Sequence, residues 1–312
     1  MTTQPIAIAA LVGILVATIG CCPKPETVQT LPQLIEHHND NASQIQRLWT
    51  RATVEVTLRN ADGLSYTWGS ASSAATPNAL LIVEKTPNGT DFVLIGKEMG
   101  VELFRLGQCQ REGIYYFWYN FGGEASAYYG RIELAGAPGI DDMPLNPNDL
   151  LSVLAIEELP SNQRQLPAVT MRLHEEHESY AYIISYLTNQ PVSRNILATR
   201  EMHLRWSDTE DPDPTRIRFY RPSGETFMNA QLFDMEAVTT GSDTAPQMPT
   251  RMDITWPDQE SGVTRLRMRL SEMSTVKDFD SRVFEFSLNA PTLSPDRIFQ
   301  IDRHLTGRDQ TR

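Results

Sequence analysis

The chain has 312 residues, with Lys+Arg 27 against Asp+Glu 39 and a formal net charge of −12. That length and an ordinary apolar content allow one large or two small globular domains and exclude wholesale disorder. The acidic balance excludes a surface built for DNA or RNA, because phosphate contacts need a basic face.

Residues Ile6 to Ile19 (IAIAALVGILVATI) carry no charge and no strongly polar group. The run is short of the roughly 20 apolar residues of a spanning helix. It fits the apolar core of a secretion signal, which makes residues 1–20 a removable segment. Thr18-Ile19-Gly20-Cys21 resembles a lipobox, the cleavage site ahead of a lipid-modified cysteine. Gly20 supplies the small residue before the cut, and Cys21 the thiol that takes the diacylglyceryl group. Met1–Pro5 holds no Lys or Arg, and Thr18 stands where that pattern prefers Leu. An uncleaved membrane anchor and an ordinary secretion signal are the alternatives, and all three export the domain. The expectation is a protein lipid-anchored at the cell membrane or outer membrane, its domain facing the periplasm or exterior.

Acylation of Cys21 would leave Cys22 and Cys109, so at most one intrachain disulfide can form. This is not a disulfide framework. No Cys pair at ligand spacing sits near a His pair, so a zinc module is not expected. Cys109 has no C-x-x-C partner and reads as structural.

Residues 22–30 (CPKPETVQT) are rich in Pro and polar side chains and, with Cys21, read as a lipidated tether over 21–30. A helix is predicted from Leu31 to Arg51, with Leu34, Ile35, His38, Ile45, Leu48 and Trp49 on one stripe. Asn39-Asp40-Asn41 interrupts that stripe and marks a place where the helix can break. From Ala52 the period changes to two, with Val54, Val56 and Leu58 alternating, and Asn60-Ala61-Asp62-Gly63 turns the chain into Leu64–Trp68. Ala79–Lys85 and Asp91–Lys97 flank Pro87-Asn88-Gly89-Thr90, a strong hairpin signal. Gly100–Leu106 and Gly113–Tyr119 form a further pair. Short connections make these strands antiparallel neighbours. Phe92 and Leu94 oppose Val93 and Ile95, and Tyr116 and Trp118 oppose Tyr115, Phe117 and Tyr119, so something must cover the second face. A candidate cover is the short helix opened by Asn146-Pro147-Asn148-Asp149, carrying Leu150, Leu151, Val153, Leu154, Ile156 and Leu159 until Pro160 stops it.

Strands return at Ala168–Leu173, Tyr180–Leu187, Ile196–Trp206, Arg216–Arg221, Thr226–Glu236, Arg251–Trp256, Val263–Leu270 and Val283–Leu288. Ala198, Met202, Leu204 and Trp206 share a face against Thr199, Glu201, His203 and Arg205. Leu266, Met268 and Leu270 likewise oppose Arg265, Arg267 and Arg269. Residues 291–312 read as a polar tail.

A long amphipathic helix, strands in meander, a central helix and more strands resemble the LolA/LolB-like lipoprotein-carrier superfamily over most of residues 31–290. Three segments carry the likeness: Leu48-Trp49-Thr50-Arg51-Ala52-Thr53-Val54-Glu55-Val56, Pro144-Leu145-Asn146-Pro147-Asn148-Asp149-Leu150-Leu151 and Phe279-Asp280-Ser281-Arg282-Val283-Phe284-Glu285-Phe286. The resemblance implies a mainly β (α+β) fold, an incomplete antiparallel barrel curled around an N-terminal helix and a short central helix. It further implies an apolar cavity that can hold acyl chains at a membrane. It assigns no site residue.

His174-Glu175-Glu176-His177 could ligate a metal on a helix, but its flanks read as strand, turn and strand, which predicts a polar hairpin tip. His37 and His38 are sequence neighbours and point apart on a helix. No G-x-S-x-G elbow occurs, and Gly122-Gly123 lacks the Gly-Lys-Ser/Thr of a phosphate loop and reads as a turn. The row Arg265, Arg267 and Arg269 is either a solvated outer face or a contact for anionic head groups, with Arg216 and Arg218 extending it if their strand lies near. The aromatic strand Ile114-Tyr115-Tyr116-Phe117-Trp118-Tyr119 is core, cavity lining or both. The expectation is a non-enzymatic, cofactor-free lipoprotein that holds a lipid or the acyl chains of another lipoprotein. The alternative is a structural or interaction module of the cell envelope that fills its own cavity.

Overall fold

The computed structural model describes residues 27–59, 62–70, 76–121, 124–135, 143–176, 179–189, 196–207, 211–242, 244–257, 260, 262–287 and 294–306. The predicted secretion signal (residues 1–20), Cys21, Cys22, Gly122-Gly123 and His177 lie outside these residues.

Helix α1 spans Leu31–Ser43 and opens with the Gln33 side chain accepting the Thr30 N–H at 2.8 Å. It ends well before the predicted Arg51. Leu48, Ala52, Val54 and Val56 are all buried at period two, and ladder pairing on both sides of 47–59 overrides the helical spacing of Ile45, Leu48 and Trp49. Lys85 Nζ donates to the Ala42 carbonyl at 2.6 Å, a cation on the negative end of the helix. Asn39-Asp40-Asn41 does not break α1. Asn39 and Asn41 turn outward from it and bond other parts of the chain.

Seven strands follow: β1 (Arg47–Arg59), β2 (Ser65–Gly69), β3 (Ala79–Thr86), β4 (Gly89–Glu98), β5 (Val101–Cys109), β6 (Ile114–Phe121) and β7 (Glu124–Arg131). Helix α2 (Pro147–Val153) leads into the second half. That half holds β8 (Ala168–Glu176), β9 (Ser179–Asn189), β10 (Ile196–Arg205), β11 (Pro214–Tyr220), β12 (Thr226–Ala237), β13 (Gln247–Thr255) and β14 (Gly262–Ser274). A short strand, β15 (Arg297–Gln300), and one helical turn, α3 (Arg303–Thr306), complete the described chain.

All fifteen strands join one sheet in the order β15-β7-β6-β5-β4-β3-β1-β14-β13-β12-β11-β10-β9-β8, with β2 paired to β1 off this path. The two edges, β15 and β8, do not meet, so the sheet is curled and unclosed. Every ladder is antiparallel except β15 on β7. The architecture is the mainly β, incomplete barrel around an N-terminal and a short central helix that the sequence resemblance implied.

One continuous core lies on the concave face. Val54, Leu81, Leu94, Leu106 and Phe117 come from the first half, and Ile184, Met202, Ile217, Ile254 and Leu266 from the second. Leu34 and Ile35 of α1 fill it, together with Leu145, Leu150, Leu151, Val153, Leu154, Ile156 and Leu159 from the segment that contains α2.

Helix α2 therefore sits inside the curl and does not cover the second face. Residues 279–286 do that. They were expected to be strand from Val283 on, but Asp280 accepts the Arg282 N–H at 2.9 Å and starts a single tight helical turn over Ser281–Phe284. Phe284 packs against Ile82, Val93, Ile95 and Cys109. Phe286 stacks on Tyr116 with ring centroids 4.2 Å apart, and the Tyr116 hydroxyl donates to the Phe284 carbonyl at 2.9 Å. This strap is why β4 and β6 are apolar on both faces.

Strand β7 has no counterpart among the predicted elements, since Glu124-Ala125-Ser126-Ala127 lacks large alternating residues. Within the expected polar tail, residues 294–306 include a strand and a helical turn. Asp296 accepts the Ala125 N–H and Asp302 the Arg131 N–H, each at 2.8 Å, so two carboxylates clip β15 along β7.

Candidate functional site

The concave face carries the largest apolar cluster among the described residues, and methionine is prominent in it. Met202, Met228, Met248, Met252, Met268 and Met273 are all buried there. Unbranched, polarizable side chains of this kind repack around guests of varied shape. Strands form the wall. Among the described residues the filling comes mainly from α1 and from residues 145–159, the latter called the plug below.

The plug is apolar toward the sheet and polar where it meets its neighbours. Asn39 donates to the Leu159 carbonyl at 2.9 Å and accepts the Leu159 N–H at 2.7 Å. His38 Nε2 lies 2.8 Å from the Glu157 carbonyl, which can only accept, so this nitrogen carries the proton. Burial lowers the His38 pKa, which keeps the ring neutral. Asn41 exchanges two bonds with the backbone of Gln247 at 2.8 and 2.7 Å, tying α1 to β13. Replacing Asn39 by alanine leaves both Leu159 backbone groups without a partner. We expect a loss of about 1–2 kcal/mol in urea unfolding.

Arg200 is a charged residue of the wall. It lies on the same face of β10 as Met202 and Leu204, and its side chain is only 13% exposed. Its guanidinium donates to Glu157 Oε2 at 2.7 Å and lies over the Tyr186 ring, 3.8 Å from the centroid. The Ser152 hydroxyl donates to the same Glu157 oxygen at 3.0 Å. Withdrawal from water raises the Tyr186 phenol to about 12, with the neighbouring Arg200 guanidinium pulling the other way, and its O–H finds no acceptor among the described residues. Asp149, in the first turn of α2, is partly exposed as a residue. Desolvation nevertheless pushes its carboxyl up to about 7, with Arg200 pulling the other way.

These residues were not singled out by sequence. A signal existed for Arg200, which interrupts an otherwise apolar face between Ala198 and Met202, although a register shift between Ala198 and Arg200 blurs the alternation. For Glu157, Asn39 and Asp149 there was none, because their roles depend on contacts across the fold.

The sequence-stressed groups fall elsewhere. In the aromatic strand, Phe117 and Tyr119 face the concave core, while Tyr116 and Trp118 lie under the strap. Both faces of the strand are thus packed, one against the concave core and one under the strap. His174 is exposed on edge strand β8, in the β8–β9 hairpin. Among the described residues no group of three potential metal ligands forms. His37 lies 3.7 Å from the exposed Asp211, apart from buried His38. Cys109 is a buried free thiol whose pKa is raised by desolvation, which suits a structural residue.

Two of the three arginines of the row are paired with carboxylates, while Arg269 faces Arg251 on β13 and its Nε has no hydrogen-bond partner among the described residues. Arg267 donates to Glu55 at 2.8 Å across β1 and lies 3.5 Å from Asp253 across β13, while Arg265 donates to Asp253 at 2.9 Å. Strands β12 and β13 separate Arg216 and Arg218 from it. On the outer face of β10, Glu201 and His203 are buried although they oppose the apolar face. Glu201 accepts from Tyr220 at 2.7 Å and from Ser185 and Arg172 at 3.2 Å. An open groove of about 640 Å³ lies beside Trp49, Trp68, Ile95 and Met99 at the β2, β4 and β5 tips, outside the plugged interior.

No family model matches the chain, and no curated protein matches it. Solved structures do. A DUF1329 family protein from Desulfovibrio piger aligns at TM-score 0.45 and 12% identity, covering 81% of this chain and 95% of that one. A LolA superfamily protein from Nitrosomonas europaea aligns at 0.45 and 11%, covering 83% and 99%. A candidate outer membrane lipoprotein-sorting domain from Vibrio parahaemolyticus aligns at 0.45 and 10%, covering 81% and 95%. The likeness to all three is one of overall fold alone.

Proposed function

We propose that this protein is a non-enzymatic, membrane-tethered carrier that holds a lipid, or the acyl chains of a lipoprotein, inside its curled sheet. The observation that carries this reading is the construction of the core. A wide, methionine-rich apolar wall is closed by two small segments held through a few polar contacts, not by a second sheet. Displacing residues 145–159 would exchange one apolar filling for another, so the apolar area removed from water stays nearly constant while the guest gains burial. Directed polar contacts are few, as expected for a cavity that grips by burial.

The anchor belongs to the same proposal. Acylated Cys21 and the tether over 21–30 would hold the domain at an envelope membrane, where such guests occur. A Cys21→Ser variant is expected to lose the acyl mass and leave the membrane fraction. A variant unchanged in mass and fractionation overturns the anchor.

One observation favours a second reading. The plug's apolar side chains are as buried as those of the wall, as they would be in an envelope module that fills its own cavity. Titration with the neutral fluorescent probe N-phenyl-1-naphthylamine separates the two. A carrier takes up the probe at micromolar concentration with the sheet intact, and native mass spectrometry shows co-purifying lipid. A folded domain that does neither is the self-filled module.

A further inference from the structure

The buried cation on the wall has a consequence for what the cavity takes. Arg200 belongs to the sheet, but its carboxylate partner Glu157 belongs to the plug. Any movement that admits a guest therefore removes the counter-ion from a guanidinium set in an apolar face. A buried charge left without a partner is costly, so a guest that brings an anion is favoured over an equally apolar one that does not. Tyr186 adds a second, directional element. It is 6% exposed, its ring carries the guanidinium, and its hydroxyl is a donor without an acceptor among the described residues. A carboxylate presents two oxygens, one for the Arg200 N–H and one for the Tyr186 O–H.

We propose that Arg200 and Tyr186 form a head-group site for an acyl-chain carboxylate, and that Glu157 occupies this site as a built-in surrogate while the plug is closed. The proposal rests on the carrier reading above and narrows its ligand to a long-chain carboxylic acid. Glu157 then competes with the guest, and the apolar tail lies along the methionine wall in place of the plug.

The test is displacement of N-phenyl-1-naphthylamine from the full domain by oleate and by oleyl alcohol, which match in chain and differ in head group. Wild-type protein is expected to prefer oleate at least tenfold. Arg200→Gln brings the ratio to about one, with the alcohol binding more tightly than to wild type because the plug loses its ion pair. Glu157→Gln strengthens both ligands and keeps the ratio. Should Arg200→Gln fail to fold, Tyr186→Phe decides, with an expected fall of the ratio by threefold or more. Equal affinity of the two ligands for wild-type protein, or a ratio untouched in the folded variant, overturns the head-group site and leaves the carrier standing. Absence of binding by probe, acid and alcohol alike overturns the carrier and the site together.

Discussion

Truncating Leu154 to alanine is expected to lower the unfolding free energy by about 2–5 kcal/mol, the range for deleting a fully buried leucine side chain. Leu154 is 0% exposed and follows α2 directly, at the point where the plug turns toward Ile156 and Leu159. Its side chain fills space between the plug and the wall, so its loss costs both transfer energy and packing. Urea unfolding followed by tryptophan fluorescence measures the total. The informative part is where the loss appears. A plug that opens as a unit is destabilised before the sheet, so probe uptake in Leu154→Ala should rise at urea concentrations where tryptophan fluorescence is still native. Coincident transitions would make the plug permanent core, because two-state loss of all structure leaves no open intermediate. A loss below about 1 kcal/mol would mean that the site collapses around the missing atoms.

The sheet was largely legible because its strands announce themselves twice, by alternation and by turn chemistry. Pro87-Asn88-Gly89 marked the β3–β4 hairpin, and the even spacing of Leu266, Met268 and Leu270 marked β14. Errors arose where one residue pattern fits two structures. Leu48 and Trp49 suit a helical stripe as well as a strand, and only pairing across β3 and β14 decides. Val283 to Phe286 alternates like a strand yet forms the strap, since the Asp280 cap and the apolar back of β4 and β6 hold it there. Strand β7 escaped notice because small residues give weak periodicity, and its far edge is fixed by Asp296 and Asp302 from a distant part of the sequence. The functional site was the least legible. Arg200, Glu157, Asn39 and Tyr186 are unremarkable as single residues, and their meaning comes from which of them rides on the wall and which on the plug. The arginine row shows the converse. It drew attention as a charge run, but Arg265 and Arg267 have acidic partners, Glu55 and Asp253, on two other strands, which the run itself does not show.

Asp149 makes the closed state pH-dependent, and the sign follows from the direction of its shift. Its carboxyl titrates near 4 in an unfolded chain and at about 7 in the folded one. The folded state therefore holds this proton more tightly, and the contribution is fully favourable only below the unfolded value. As pH rises from about 4 to 7 the unfolded chain releases the proton first and stability is lost. Above about 7 the group is ionised in both states and the whole cost remains. At roughly 1.4 kcal/mol per pKa unit the shift sets an upper bound of about 4 kcal/mol, and the partial exposure of the residue reduces it. Asp149→Asn removes the titration while keeping the shape. It is expected to stabilise the domain by about 1–3 kcal/mol at pH 8 and by almost nothing at pH 4, in urea melts compared with wild type at each pH. His38 acts in the opposite direction, since its lowered pKa withdraws stability as pH falls below about 6.5. It is present in both proteins and cancels from the comparison. An equal effect at the two pH values would mean that the carboxyl is solvated and the plug carries no such bias. The expected inequality has a functional consequence, because Asp149 lies on the plug and Arg200 on the wall. Ionisation of Asp149 costs the closed state its burial, so the cavity should open more readily in mildly alkaline than in mildly acidic surroundings, and probe uptake by wild type should rise through pH 7 while that of Asp149→Asn stays flat.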